Sequence, residues 1–422
     1  MKTLQAVRGM HDILPDDSAA WQWLESILKT QFEAYGYEEI RTPLVEQTEL
    51  FTKAMGQSTD VIEKEMYALQ ARGDAHLSLR PEGTAGVVRA VLQHGLLNPP
   101  GLKAWYCGPM FRYERPQKGR QRQFYQAGLE AFGIEGPSID AELIALISRI
   151  WRALGIDRHV VLEINSLGDR ADRAQYRETL LDYLTPLRDQ LDEDSQRRLD
   201  LNPLRIFDSK NATTQAIMLD APTLSDALGP SARTHFEQLC GCLDALDINY
   251  TINPGLVRGL DYYGRTVFEW KTEQLGAQGT ICAGGRYDEL IEMQGGRATP
   301  GIGLAMGMER LLELIRDQQQ GGFKTSPDAY LVSALAAEHT LAIAERLRTD
   351  GPALRLIADL QGGSFKAQFK RADRSAARWA LVLGDDELEQ GTITVKDLRG
   401  NAEQLTLNLN QAAEWLEQNR PG

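Results

Sequence analysis

The chain contains no phosphate loop of the GxxxxGK(S/T) kind. In "GIGLAMG" the glycines fall at 301, 303 and 307, one residue too many for the dinucleotide fingerprint. P-loop and Rossmann sites are thereby excluded as its way of holding a nucleotide. Cysteine is scarce, with four in 422 residues, and only Cys240 and Cys242 are close. The single residue between them matches no usual zinc spacing, so all four are read as reduced thiols and no metal cluster is expected. No run of about 18 apolar residues occurs, and "MKTLQAVRGMHDILP" at the start lacks the apolar core of a signal peptide. No membrane segment and a cytoplasmic location are expected. Positive charge is also in deficit: 46 Lys and Arg stand against 59 Asp and Glu, a net charge of -13. Repulsion of that size excludes a generally basic nucleic-acid coat and leaves a polyanion only local patches on which to dock.

One such patch is "FRYERPQKGRQRQF" at 111–124, with five basic side chains, three aromatics and one acid. It is framed by "KAWYCGPMFRY" and "QFYQAGLEAFGI", two aromatic-rich segments of strand character, so a hairpin with a long basic tip is expected. Before it, Trp21, Leu24, Leu28, Phe32 and Tyr35 recur at three- and four-residue steps, the apolar stripe of a helix over residues 18–36. "EEIRTPLVEQ" then reads as extended chain, with Pro43 suited to an edge or interface strand. After the hairpin, "IDAELIALISRIWRALG" reads as a helix with Ser138 as N-cap and Gly155 at its end.

At 422 residues, two or three domains of roughly 100 to 250 residues are expected. Residues from about 168 to 229 are charge-rich, helical in pattern and punctuated by prolines, and look like an insertion. "RTVFEW" and "GTICAGGRYDEL" return to strand and turn chemistry, and "PGIGLAMGMERLLELI" reads as a strand running into a helix. A Gln/Gly-rich linker at about 316–328 divides residues 1–325 from residues 326–422. Beyond it, short β-rich runs alternate with helical patterns, the texture of a small α/β domain.

Three arginines sit in ordered contexts. Arg112 lies at the inner end of the hairpin beside Glu114. Arg310 follows Gly307 in the first turn of a helix, where dipole and guanidinium together favour a phosphate. Arg258 opens "RGLDYYGRTVFEW", where glycines allow backbone to approach a ligand. On the residues alone, a surface or ion-pair role for each stays open.

"FRYE", followed by Arg120 and then Phe124, resembles motif 2 of the class II aminoacyl-tRNA synthetases, and "GIGLAMGMERL" resembles their motif 3. The segment around Pro43 is similar to motif 1. "RGLDYYGRTVFEW" and "AGGRYDEL" resemble the pair of signatures peculiar to the histidyl-tRNA synthetases, and "LRPEGT" at 79–84 fits the same family. The resemblance covers nearly the whole chain, including "GGSFKAQFKRADRSAARWALVLG" near its end. It implies an α+β catalytic domain, an antiparallel sheet flanked by helices. The helical insertion and a C-terminal α/β anticodon-binding domain complete the implied architecture, in a homodimer that needs no membrane.

The resemblance also implies roles for residues. Arg112 would grip the α-phosphate of ATP, Glu114 the adenine amino group and Arg310 the γ-phosphate, with Phe124 stacked on the adenine. Glu82, Thr84 and Gln126 would bind the ammonium group of L-histidine, with Gly83, Arg112 and Arg258 also among the residues that contact the amino acid. Glu130 and Tyr263 would meet its two imidazole nitrogens, an imidazole needing one partner at each. Tyr262 and Tyr287 would wall the pocket, with core packing as the other reading. Arg112 and Arg258 would act as the catalytic cations, Arg258 standing where other class II enzymes place a metal. Mg2+ would accompany the β- and γ-phosphates on ligands the sequence does not identify. Lys118, Arg120 and Arg122 would reach the acceptor stem of tRNA(His), a solvated loop being the bland alternative. In the last domain Lys366, Lys370, Arg374 and Arg378 recur every four positions, a cationic stripe if helical, with Arg371 beside it. Lys370 and Arg374 would meet the anticodon arm. The expected reaction is histidine–tRNA ligation through a histidyl-adenylate. The rival is a silent paralogue acting as regulatory subunit of ATP phosphoribosyltransferase, which would lack the C-terminal domain.

Overall fold

The computed structural model describes residues 3–56, 59, 61–70, 74–97, 101–117, 119–258, 260, 262–276, 279–316, 323 and 326–420. Lys118 and most of the expected linker lie outside the described residues. The chain divides into two compact units, Met1–Phe323 and Lys324–Gly422.

The first unit contains strands β1 (Glu38–Glu39), β2 (Val45–Gln47), β3 (Ala68–Gln70), β4 (His76–Leu79), β5 (Lys103–Phe111), β6 (Gln123–Phe132), β7 (Val161–Ser166), β8 (Thr251–Ile252), β9 (Gly264–Lys271), β10 (Thr280–Arg286) and β11 (Gly301–Gly307). Eight of them form one sheet in the order β1-β5-β6-β11-β10-β9-β7-β8, and β2-β4-β3 form a small second sheet. The large sheet is antiparallel, as expected, except at its two edges, where β1 pairs parallel to β5 and β8 parallel to β7. Both edge strands are two residues long, too short to carry an alternation that a reader of the sequence could follow. The centre, β5 through β7, is antiparallel throughout.

The helix Pro15–Ala34 begins with Pro15 in its first turn, Asp16 and Asp17 beside it, and buries Trp21, Leu24, Leu28 and Phe32. The acids complement the helix dipole, and each buried Leu or Phe stabilises by about 1.5–3 kcal/mol relative to exposure. It packs into the same core as the helix Ser138–Leu154, which buries Leu143, Ile147, Ile150 and Trp151 against the sheet. That second helix stops at Gly155, in the left-handed region at φ 72°, where a side chain would cost about 1–2 kcal/mol. Residues 170–245 are helical almost without interruption, from Arg170–Leu184 to Pro230–Ala245, between β7 and β8. A second core, shared by this insertion and the helix Thr84–Gln93, lies under the cleft end of the sheet.

In the second unit the strand Ala329–Ser333 is flanked by Leu356–Ala358 and Trp379–Leu383 in parallel, and Thr392–Asp397 and Leu405–Asn408 complete the sheet antiparallel. All five residues of the strand Ala329–Ser333 are buried. Ala329 and Leu331 enter one apolar cluster and Tyr330 and Val332 another, as a period of two with both faces covered requires.

Candidate active site

Strands β5 and β6 form the expected hairpin, paired from Lys103↔Ala131 to Phe111↔Gln123. On β6 the residues Phe124, Gln126, Gly128 and Glu130 share one face, a row about 20 Å long at two residues per repeat. Phe124 and Gln126 line a cleft of about 220 Å³ together with Glu82, Thr84, Arg112, Glu114, Arg258, Tyr262, Tyr263 and Arg310. The sequence separates these residues by more than two hundred positions; the antiparallel sheet brings them to one surface.

The outer end of the cleft is cationic. Arg112 lies with its guanidinium 5.3 Å from the centre of the Phe124 ring and donates from Nε to the Pro81 carbonyl at 3.0 Å. Arg310 donates to the carbonyls of Gly119, at 3.1 Å, and of Thr280. Burial pushes its pKa down, and the neighbouring charge of Arg120 pushes the same way, Arg112 adding less. Three guanidiniums are thus held close enough to repel one another, an arrangement that a polyphosphate relieves. Arg120 belongs to this group: it lines the cleft and donates to Glu114 at 3.0 Å. Arg122 lies on the Tyr113 ring at 3.9 Å and donates to the Glu114 carbonyl at 3.1 Å, bracing the hairpin base. Neither projects as a free basic tip. The cause is the Gln117–Arg120 bridge, a tight turn that folds Arg120 back toward Glu114.

The inner end is lined by oxygens. Glu82, buried, accepts the backbone N–H groups of Thr84 at 2.6 Å and Ala85 at 2.9 Å, which fixes its carboxylate at the start of the helix Thr84–Gln93. Burial raises its pKa, and the charge of Arg112 opposes that rise. The Oε1 of Gln126 is buried and accepts no hydrogen bond among the described residues. Glu130 is wholly buried beyond the open cavity; Thr84 donates to its Oε1 at 2.7 Å and Tyr287 to its Oε2. Burial drives its pKa up to about 8 against the two hydroxyl donors. The rings of Tyr262, Tyr263 and Tyr287 cluster at this end, with centroids 4.6 to 6.5 Å apart. Gly83 does not face the cavity: a Cβ there would stand 2.3 Å from the Tyr106 ring, so its lack of a side chain serves packing.

Arg258 lines the wall between the two ends, 3.5 Å from Glu269 Oε1 and 5.6 Å from the centre of the Tyr263 ring. Glu269 also accepts from Thr280 at 2.6 Å and pairs with Lys271 at 3.3 Å, which holds it in place for Arg258. Sequence reasoning gave Tyr287 a place in the pocket wall but not its bond to Glu130, and passed over the roles of Gly303 and Glu309. Tyr287 is bonded to Glu130 as well as packed; Gly303 leaves room for that carboxylate; and Glu309 lines the cleft while accepting the Tyr125 N–H at 2.9 and 3.1 Å, its pKa lifted to about 7 by burial.

A family model described as histidyl-tRNA synthetase matches residues 9–311, and a second, described as anticodon binding domain, matches residues 331–419. The chain belongs to the histidyl-tRNA synthetase family. The apo histidyl-tRNA synthetase of S. aureus is 35% identical to it with a TM-score of 0.82, over 98% of this chain and 100% of that one. Histidyl-tRNA synthetase from Nostoc sp. PCC 7120 shares the fold at 21% identity and a TM-score of 0.71, over 99% and 100% of the two chains. So does an ATP phosphoribosyltransferase regulatory subunit/histidyl-tRNA synthetase from Bacillus halodurans C, at 20% and 0.64 over 91% and 98%. The first unit therefore has the class II synthetase fold, a mixed sheet flanked by helices, and an anticodon-binding domain with its own sheet follows it. As a member of this synthetase family the chain is a histidine–tRNA ligase.

In the anticodon-binding domain the helix Phe365–Arg374, capped by Ser364, carries Lys366, Lys370 and Arg374 exposed and without ion pairs among the described residues. Arg371 turns inward to Asp359 at 2.7 and 2.9 Å. Arg378 does not continue the stripe: the helix stops at Arg374, Ala376 takes φ 61°, and Arg378 pairs with Asp397 at 3.0 Å.

Proposed function

We propose that the cleft binds ATP at its arginine end and L-histidine at its oxygen end, and joins them at the α-phosphate between Arg112 and Arg258. The observation that carries this reading is the polarity of the cleft. Arg112, Arg120 and Arg310 gather where phosphates would lie, and Glu82 with the unpartnered Gln126 Oε1 waits where an ammonium group would lie. A buried acceptor without a donor costs about 1–3 kcal/mol, which an ammonium ligand recovers.

Phe124, at the mouth of the row, offers its ring to adenine, and Glu114 is within reach of the same region through its pairing with Arg120. The histidine carboxylate attacks the α-phosphorus and pyrophosphate leaves; the terminal ribose hydroxyl of the tRNA then attacks the carbonyl of histidyl-adenylate. Charge grows on the α-phosphoryl oxygens in the first step. Fixed guanidiniums stabilise it without reorganising, and the Glu269–Lys271–Thr280 cluster keeps Arg258 from swinging away. Arg120 acts with the phosphates in this arrangement more than with the acceptor stem. Among the described residues no group of three or more His, Cys, Asp or Glu could cage a metal ion. Mg2+ would therefore be carried by the ATP phosphates, with Glu309 a single carboxylate at hand, and would supply charge neutralisation there.

Lys370 and Arg374 are assigned to the anticodon arm of tRNA(His). A homodimer is proposed through the segment around Pro43, where the sheet ends at β1 and Leu44 and Val45 are exposed; sedimentation at twice the chain mass would support it and an active monomer would not. No described helix is long and apolar enough to cross a membrane, and a cytoplasmic place of work is proposed with the rest. The regulatory-subunit reading is disfavoured because Arg112, Arg258 and Arg310 meet in one cleft and the anticodon-binding domain is present. Transfer of labelled histidine to tRNA(His) with ATP tests the choice: transfer supports the ligase, and its absence with an active ATP phosphoribosyltransferase partner supports the subunit.

A further inference from the structure

Glu130 has an environment that the binding scheme leaves unexplained. It is wholly buried, and among the described residues no Lys, Arg or His forms an ion pair with it. Thr84, at the start of the helix Thr84–Gln93, bonds to it, and the groups close enough to feel its charge are Glu82 from just before that helix and Tyr106 from β5. Tyr262 and Tyr263 come from before β9, Tyr287 from the end of β10, and Tyr37 from beyond the first helix. Among the described residues that share its surroundings are one acid, five phenols and one alcohol, and no base. The nearby cations act elsewhere, Arg112 on Glu82 and Arg258 on Tyr263. An isolated carboxylate at such a site has neither solvent nor counter-charge, and takes a proton instead.

We propose that Glu130 is a neutral carboxylic acid when no ligand is bound, and that it hands its proton to the imidazole of incoming histidine, which is then held as imidazolium against the Glu130 carboxylate. The inference rests on the histidine-activating reading of the cleft. The balance is simple: the O–H bond of Glu130 breaks, an N–H bond forms at one ring nitrogen, and the pair stays neutral overall with nothing drawn from bulk water. Thr84 and Tyr287, each already bonded to one oxygen, donate to the carboxylate once it forms. The second ring N–H is left for the phenol oxygen of Tyr263. Burial that lifts Glu130 to about 8 keeps a proton there to give but makes it a weaker acid than imidazolium, so the transfer depends on the ion pair it creates and on the Thr84 and Tyr287 donors to offset that difference.

The device selects by proton inventory. A glutamine, asparagine or leucine side chain cannot take the proton, so no ion pair forms. Lysine and arginine arrive already charged, and Glu130 would have to lose its proton to water before pairing with either. Histidine alone among the side chains accepts and holds one proton near pH 7. Tyr287 is in this scheme a positioning residue, acting through Glu130.

The test uses the intact protein and ring-15N-labelled L-histidine at pH 7.5, where free imidazole is mostly neutral. Nitrogen NMR of the bound ligand reads its protonation, and calorimetry in phosphate and in Tris at the same pH counts protons exchanged with buffer. Two protonated ring nitrogens with close to zero exchange are expected. Imidazolium with about one proton taken up per histidine would mean that Glu130 was already ionised, and a neutral bound ring would mean that no transfer occurs; either overturns the inference. Absence of any histidine binding would sink the reading beneath it instead. In Tyr287→Phe the bound ring should read as less protonated at the same pH, since a carboxylate that has lost a donor holds the proton more tightly. An unchanged titration would reduce Tyr287 to packing.

Discussion

Gly303 stands opposite Glu130 in the register of β11 with β6, and a Cβ on it would lie 1.8 Å from Glu130 Oε2. The glycine leaves the space that the carboxylate fills. Gly303→Ala should therefore displace Glu130 and weaken histidine binding by tenfold or more, the overpacking itself costing about 1–3 kcal/mol. ATP affinity, set at the other end of the cleft, should change little. Calorimetry with each ligand checks this; an unaltered histidine affinity would show that the carboxylate position does not matter.

Glu130 also links stability to pH. Its folded pKa of about 8 lies above the ordinary 4.5, so between those values the native state holds a proton that the unfolded chain has lost. Stability of the ligand-free protein then falls as pH rises from about 5 to about 8, and levels above. Glu130→Gln lacks this penalty. The melting temperature of the variant, relative to the parent, should climb across that window, with contributions from Glu82 and Glu309 cancelling in the difference. A constant difference would place the Glu130 titration outside it.

Much of this site was legible because its parts are local. The β5–β6 hairpin and the helix ending at Gly155 follow from short patterns of apolar spacing and glycine, whereas the residues alone left the cleft arginines open to surface roles and only the family resemblance drew them together. What was hidden depends on pairing between distant segments. Nothing near Gly303 in the chain says that Glu130 lies across from it, and nothing in "RPQKGRQR" says that Arg120 folds back to Glu114. A spacing of four carried the basic stripe one step too far, to Arg378, because Ser375 and Ala376 end the helix without a glycine or proline to announce it. The parallel edges β1 and β8 escaped for want of length.

Arg258 should act in the transition state. Arg258→Ala is expected to lower the single-turnover rate of adenylate formation on the order of a hundredfold, as loss of a preorganised donor does, with a smaller change in histidine affinity. Rapid-quench measurement with saturating ATP and histidine decides it; a rate within a factor of two of the parent's would remove Arg258 from the chemistry.

Lys370 and Arg374 project from the helix Phe365–Arg374 without ion pairs among the described residues. Replacing both with Ala should weaken tRNA(His) binding and make its dependence on salt shallower by up to about two phosphate contacts. Histidine-dependent pyrophosphate exchange should stay near the parent value. Unchanged affinity and slope would make the three-residue stripe ordinary surface.

The central claim, that the cleft reads histidine at one end and activates it with ATP at the other, is tested most directly by amino-acid-dependent ATP/pyrophosphate exchange run across all twenty amino acids. Exchange with histidine, and background rates with the other nineteen, is the predicted result. Exchange supported by a different amino acid, or by none, would contradict the account.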